Sequence, residues 1–573
     1  RVFIAELNQS GENHRPEKFS DFREILGQVE KHYNERYFIL KSIIVNNLYG
    51  VDIMEEAVEI CKLRLFLKLI AQVDQARDVK PLPDIDFNIR TGNTLVGFTS
   101  IEEVEQALLG SGPKKRLPYP EEQAQIERIK EDADLANRAY LLFQSQQLEE
   151  GFVTTKDKEA LSSRLHRLND EMNRALTKTY GVYPDTRDFS TWMHTHKPFH
   201  WYVDFFGIMN QGGFSVIIGN PPYINMSKVR KSYTIQNMNC TDCPDVYAVC
   251  VERSFQLLNK TGRFGMILPI SFQFSQDFLS CRNECNNQLS KTWVSTFSRN
   301  PAALFSAGLG VRNTICVGKR GEKENNVIYS TKLNRWIEDY RPFLFSTISF
   351  TRIPQSLQDY GWPRFENERI AELFDHLVKL RWQLNSHSNY GRFEVKFKTT
   401  GLYYISAFIE EPPSYDKEGA VISHTDIGRV KFSDEKVRDL ALAIAVSKIS
   451  LIWWAATGDD FHVTSRGLGS TPLEPSKLPG HTQETISSLS RDIVEEMQNN
   501  IIYTKYAGKW MGNYDIKYLR YLTDQVDKTI LDSIGFSDYW EDIETAYASF
   551  MKMTGERPGT VREIPDFEKK STT

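Results

Sequence analysis

Asn220-Pro221-Pro222-Tyr223 carries the strongest chemical signal in this 573-residue chain. An amine attached to a planar, conjugated carbon is a poor nucleophile, because its lone pair is delocalised. Two acceptors, the Asn220 side-chain carbonyl and the Pro221 backbone carbonyl, can bind both hydrogens of such an amine. That pattern favours a pyramidal nitrogen with a localised lone pair as it begins to attack. Proline has no N–H and a fixed φ, so it holds the neighbouring carbonyls in place. Tyr223 offers a flat face on which an extruded ring can stack. A tight Pro-Pro turn is the plain structural alternative.

The elements around the tetrapeptide decide between these readings. Phe214–Gly219 is a continuous apolar run, the pattern of a parallel strand covered on both faces. Ligands of open α/β sheets bind at the carboxyl ends of strands, which is where the tetrapeptide falls. Upstream, Leu48–Asp52 reads as a strand ending in an acid, followed by a helix with Ala57, Cys61, Leu65 and Leu69 on one face. Asp86–Arg90 is a short strand that runs into Gly92-Asn93. Tyr247, Val251, Ser254 and Leu258 share one face of a helix expected to stop near Thr261-Gly262. Strands follow at Phe264–Pro269, Val294–Phe297 and Thr314–Val317. This alternation predicts a doubly wound α/β sheet over residues 38–318. Residues of about 101–180, rich in Glu, Gln, Lys, Leu and Ala, read as an inserted helical hairpin with breaks at Gly112-Pro113 and near Gly151. Beyond about residue 330 the pattern becomes irregular: aromatic strands at Phe343–Phe345 and Leu402–Ile405, and helices around 435–456 and 483–499.

With these pieces in order, the sequence resembles the γ-type N6-adenine DNA methyltransferases, in particular the Eco57I-like, Type IIG restriction-modification group. The likeness rests on Asn46–Ile53, Asn88–Leu95, Ile217–Tyr223 and Arg263–Pro269. It implies a Rossmann-like methyltransferase domain over residues 1–330 with the helical insertion, and a mixed α+β DNA target-recognition domain over 331–573. It implies S-adenosylmethionine as cofactor, with Asp52 and Ile53 at the ribose, Asn93 receiving the cofactor's adenine amine, and Asn220 beside it. Double-stranded DNA is the implied partner, with the adenine flipped out between Tyr223 and Phe305; Phe297 is a rival to Phe305. Lys228, Arg230 and Lys231, just past the loop, are placed to meet backbone phosphates. A Gly-rich loop should precede Asp52, yet residues 1–50 hold only Gly11, Gly27 and Gly50, none in a G-x-G arrangement. The chain begins at Arg1 without Met, so that first strand and loop, and any fused or partner nuclease, are expected upstream.

Composition sets the outer bounds. With 70 basic and 75 acidic residues, a net charge of -5 advertises no nucleic acid globally, so phosphate contacts must come from local patches. No run approaches the ~18 apolar residues of a membrane span. Seven cysteines, an odd number, without a secretory signal suggest reduced thiols and a cytoplasmic setting, which the resemblance implies is prokaryotic. Cys240-x-x-Cys243 and Cys281-x-x-x-Cys285 have spacings that zinc can use, but no accompanying His or ribbon turn, so they read as ordinary thiols and no metal is expected. Two other functions compete: a non-catalytic DNA-recognition fragment, supported by the missing Gly-rich loop, and a protein glutamine N5-methyltransferase, whose members share the tetrapeptide but are much shorter.

Overall fold

The computed structural model describes residues 27, 29, 34–73, 82–110, 116–148, 155–305, 310–321, 326–385, 391–401, 404–551 and 560–562. The chain divides into two compact units, the first formed by residues 1–215, 225–238 and 253–259, the second by 216–224, 239–252 and 260–573.

In the first unit, α1 (Glu35–Asn47) leads into β1 (Gly50–Asp52), α2 (Glu55–Ile70) and β2 (Ile89–Thr91). β1 and β2 pair in parallel with Asp52 beside Thr91, which sets their carboxyl ends side by side. Of the expected face of α2, Leu69 is buried and Leu65 packs on the same core, but Cys61 is exposed and Val58 is buried in its stead. Buried Asn88 ties the unit together, its Nδ2 donating to the carbonyls of Val45 and Leu48 at 2.8 and 3.1 Å while Oδ1 accepts from Tyr140.

The helical insertion is present as α3 (Ile101–Leu109), α4 (Pro120–Leu148) and α5 (Thr155–Thr179). Ile129, Ala133 and Ala136 of α4 pack with Leu161, Leu165, Leu168 and Met172 of α5, a helical stripe burying a continuous apolar core. Gly112-Pro113 and Gly151 lie outside the described residues. His200 is fully buried between the parts of this unit, taking the Phe98 N–H on Nδ1 at 3.2 Å and facing Asn173 Oδ1 at 3.0 Å with Nε2. Burial pushes its imidazole down to about 3, so it stays neutral and structural.

The second unit holds a six-stranded sheet of order β3-β4-β6-β5-β7-β8, made of Phe214–Gly219, Leu258–Pro269, Lys291–Phe297, Asn313–Lys319, Val327–Asn334 and Thr351–Arg352 in chain order. β6 lies antiparallel between β4 and β5, whereas β5 and β7 run parallel. The sheet is therefore mixed, and the chain as a whole is mixed α/β. β3 is an edge strand: Val216 is 58% and Ile218 80% exposed, so it is not covered on both faces as its apolar run suggested. Two other expectations also give way. The helix after the active loop, α6 (Tyr247–Leu257), passes directly into a twelve-residue β4 that runs through Thr261-Gly262. Phe343–Phe345 is not a strand but part of a 3-10 helix, Glu338–Thr347, because Pro342 inside it cannot donate to a ladder.

The rest of this unit consists of two further sheets and a set of helices. β9 (Phe393–Lys398) lies between β10 (Ala407–Phe408) and β13 (Ile427–Phe432). β11 (Ser414–Tyr415), β12 (Val421–Ile422), β14 (Ile501–Tyr506), β15 (Lys509–Tyr514) and β16 (Thr560–Val561) form the other. Of the Leu402–Ile405 strand, Leu402 and Tyr403 lie outside the described residues. The expected C-terminal helices appear as α7 (Glu435–Ala445), α8 (Lys448–Thr457) and α9 (Gly480–Asn499), joined by α10 (Arg520–Ser533). Trp453 and Trp454 of α8 are buried core residues. Among the described residues no single helix is long and apolar enough to cross a membrane.

Candidate active site

β3 ends at Gly219, which lies close to the Met266 side chain of β4: a Cβ there would stand 2.9 Å from the Met266 sulfur. The chain then leaves the sheet with Asn220 exposed, Pro221 buried, Pro222 exposed and Tyr223 half-buried. The Tyr223 hydroxyl lies 3.0 Å from the Ile267 carbonyl and 3.1 Å from Asn220 Oδ1, and takes a hydrogen bond from Asn313 Nδ2 at 3.4 Å. It has one proton for two acceptors. When that proton serves Ile267, Asn220 Oδ1 is free to accept from another donor. Burial raises the Tyr223 phenol, with the Asn313 bond pulling the other way, so the ring stays neutral. Tyr247 meets Tyr223 edge-on at 6.2 Å and itself stacks on Phe278 at 4.8 Å, so the ring's position is braced from behind. The loop is closed by the Val246 N–H, which donates to the Ile224 carbonyl at 3.0 Å.

The two aromatic candidates for the far face of a base separate clearly. Phe297 is fully buried with Ala302, Trp336 and Leu344 and belongs to the core. Phe305 is 44% exposed. Its loop is held by Arg341, whose guanidinium donates to the carbonyls of Ala303 and Leu304 at 2.9 and 3.0 Å.

The cofactor candidates lie in the first unit. Asp52 is exposed at the end of β1; its Oδ1 accepts the Met54 N–H at 2.8 Å and its carbonyl accepts the Gly92 N–H at 2.9 Å. Ile53 follows it, partly exposed. Asn93 stands at the neighbouring strand end, 2% exposed. Its Oδ1 already accepts the Leu95 N–H at 3.1 Å, and its Nδ2 is buried without a partner. The Leu95 bond fixes which way the amide faces, so the unsatisfied atom is a donor. An oxygen waiting for a base amine, the expected arrangement, is not what the amide presents first. Gly92 and Gly97 follow from the same packing: a Cβ on Gly97 would fall 2.0 Å from the Phe199 carbonyl oxygen, at a φ of +139°.

Lys228 lies in the short helix Met226–Val229, capped by the Asn225 side chain, and Arg230 and Lys231 follow it; all three are exposed. Cys240, Cys243, Cys281 and Cys285 are buried thiols, and among the described residues no group of three or more His, Cys, Asp or Glu is arranged to hold a metal.

Sequence reasoning missed a buried ionic clamp in the second unit. Asp460, in the left-handed region at φ 68°, accepts from Ser298 Oγ at 2.8 Å and Arg312 Nε at 3.2 Å, and pairs with Arg335. Arg312 also donates to the Asp460 carbonyl at 3.1 Å and lies with Arg299 against the Phe461 ring. Next to it, half-buried Asp459 is held below the usual carboxylate range: desolvation opposes this, and the bonds from His462 and Phe461 outweigh it. The one sequence signal was the run Gly458-Asp459-Asp460-Phe461-His462, with an acid three residues before a histidine.

Residues 46–299 match the family described as Eco57I restriction-modification methylase. The matched segment spans β1 to β5 and contains Asp52, Asn93 and the Asn220–Tyr223 loop. A protein of Methanocaldococcus jannaschii named putative type II restriction enzyme and methyltransferase is 30% identical over a 329-residue alignment that covers 50% of this chain and 27% of that protein. The chain thus spans about a quarter of the length of that curated relative. Among solved structures, the Type IIL restriction-modification enzyme MmeI in complex with DNA aligns at 12% identity and a TM-score of 0.35, covering 92% of this chain and 78% of MmeI. The type IIG restriction endonuclease BpuSI aligns at 12% identity and a TM-score of 0.24, covering 92% of this chain and 80% of BpuSI.

Proposed function

We propose that this chain is the methyltransferase part of a restriction-modification enzyme and methylates N6 of an adenine flipped out of duplex DNA. The observation that carries the reading is the exposed Asn220 amide at the carboxyl end of β3, inside the segment that matches the methylase family. The base amine donates its two hydrogens to Asn220 Oδ1 and the Pro221 carbonyl, which draws the nitrogen lone pair out of conjugation. The Tyr223 ring, fixed by Ile267, Asn313 and Tyr247, supports one face of the base, and exposed Phe305 serves the other. Lys228, Arg230 and Lys231 neutralise backbone phosphates, and the sheets and helices after residue 331 serve target recognition.

The residues present fit S-adenosylmethionine. Asp52 offers an exposed carboxylate suited to a vicinal diol, and the adjoining Asn93 carries a buried donor without a partner, as a purine ring nitrogen would satisfy. Asp52, Ile53 and Asn93 would hold the nucleoside part, and the bound cofactor supplies an electrophilic methyl group.

The test is to incubate the full-length protein with duplex DNA and methyl-labelled S-adenosylmethionine, then hydrolyse the DNA to nucleosides. N6-methyladenine is the expected product. Methylcytosine, or label on protein glutamine alone, overturns the proposal.

A further inference from the structure

The second unit contains a cleft of about 1170 Å³ that does not include Asn220–Tyr223. It is larger than the roughly 300–1,000 Å³ of small-molecule pockets. Its lining includes Asp277 and Asp359, Arg429 and Lys431 of β13, and parts of the stretch from Thr457 to Ser470. His462 stands in this lining with its side chain 62% exposed, yet its backbone is fixed on every side. Its N–H donates to Asp459 Oδ1 at 2.6 Å, its carbonyl accepts from Trp454 Nε1 at 2.9 Å, and it bridges to Thr400. The ring is fixed as well. Nδ1 lies 2.6 Å from Asp459 Oδ2, which assigns the proton to Nδ1 and leaves Nε2 facing outward with no partner among the described residues.

A histidine pinned on a carboxylate is an oriented hydrogen-bonding edge, the arrangement that recognition requires and solvent does not. Nearby, Arg466 opens the short helix Ser465–Gly469, lines the same cleft and has no ion-pair partner among the described residues. Arg429 and Lys431 both stand near Glu394, at 3.3 and 3.8 Å, and are partly neutralised.

The cleft is also joined to the active-site loop by a continuous line of contacts within this unit. Tyr223 is bonded by Asn313, Asn313 follows Arg312, and Arg312 grips Asp460, which adjoins Asp459 and thereby His462. A duplex engaged at Asn220 is the ligand that such a line would serve.

We propose that His462 reads a base edge of the DNA target, that Asp459 is its positioning residue, and that Arg466 contacts an adjacent phosphate. This rests on the DNA-methyltransferase reading. In duplex recognition, contacts to base edges specify sequence and phosphate contacts set position and affinity.

The experiment sequences the methylation marks that wild type, His462→Ala, His462→Gln, Asp459→Asn and Arg466→Ala leave on a random-sequence duplex library. Folding of each variant is checked by thermal melting. His462→Ala should relax the target at one base pair by 10-fold or more and leave the other positions as they were. His462→Gln should change the preferred base at that same position, and Asp459→Asn should relax it less. Arg466→Ala should keep the target, slow methylation of every sequence and lower the salt slope of binding by about 1. A folded His462→Ala protein with an unaltered target, or with equal loss on all sequences, overturns the inference. If wild type leaves no adenine marks, it is the proposed function that fails instead.

Discussion

At the residue scale the proposed chemistry rests on Asn220 and Tyr223, which share one hydroxyl proton with Ile267. Asn220→Ala removes an acceptor that matters most as the amine pyramidalises. It should lower the single-turnover methylation rate by about 10²–10³-fold while leaving DNA affinity within a few-fold, read by gel shift. Tyr223→Phe keeps the ring and loses one neutral hydrogen bond, worth ~1 kcal/mol or about 5-fold in rate. Tyr223→Ala also loses the stacking face, worth ~1–3 kcal/mol, and should be the slower of the two. Equal rates for the two Tyr223 variants would show that the ring supports no base. This much was legible in the sequence because the tetrapeptide's chemistry is local. Asn93 shows the limit: its oxygen is taken by Leu95 and its nitrogen left unsatisfied, which follows from a turn that residue type alone does not fix. Asp460 was out of reach for another reason, since its partners Arg312 and Arg335 are 148 and 125 residues away.

At the scale of elements, strands with strong apolar patterns were legible and their limits were not. β3 was read with its observed bounds, yet its exposed Val216 and Ile218 show that an apolar run reports strand formation rather than two-sided burial. Periodicity gave α6 but not its end, because Thr261-Gly262, an ordinary helix stop, is accommodated in β4 as strand. The close approach of Phe199 to the chain after β2 is a tertiary demand that only glycine reveals. Gly97→Ala places a Cβ 2.0 Å from the Phe199 carbonyl at a φ of +139°, so backbone has to move. The substitution should destabilise the first unit by at least ~2 kcal/mol, seen as a lower urea midpoint. A midpoint within error of wild type would mean that the Phe199 segment yields freely. Asn93 is bonded through its own N–H to Lys197 at 2.7 Å, so cofactor affinity should fall with it.

At the scale of the whole molecule, a net charge of -5 means that DNA binding must be attributable to named cations. Replacing Lys228 and Lys231 together with alanine should weaken binding to all duplexes alike. The slope of log affinity against log salt should shrink by about 1.8 in magnitude, ~0.9 for each phosphate that is no longer neutralised. The molecule's stability carries a separate, pH-dependent signature in its C-terminal helices, where Asp527 of α10 is wholly buried and accepts the N–H groups of Lys448 and Ile449 at 2.9 and 3.2 Å. Burial pushes its carboxyl up to about 7, with the two N–H bonds and the Lys448 charge opposing. A folded value above the unfolded one of roughly 3.9 means that the folded state binds the proton more tightly. Stability from this group is therefore full below about pH 4 and lost as pH rises toward 7, at up to ~1.4 kcal/mol per pH unit. Asp527→Asn abolishes that titration while keeping an acceptor for the two N–H groups. The difference in unfolding free energy, variant minus wild type, should rise steadily between pH 4 and 7 and level off above 7. Asp524 and Glu544, which both meet Lys448, are present in both proteins, so what they contribute largely cancels in the difference. Curves that stay parallel across that range would show that Asp527 is ionised in the fold, with the helix N-terminus of α8 outweighing its burial.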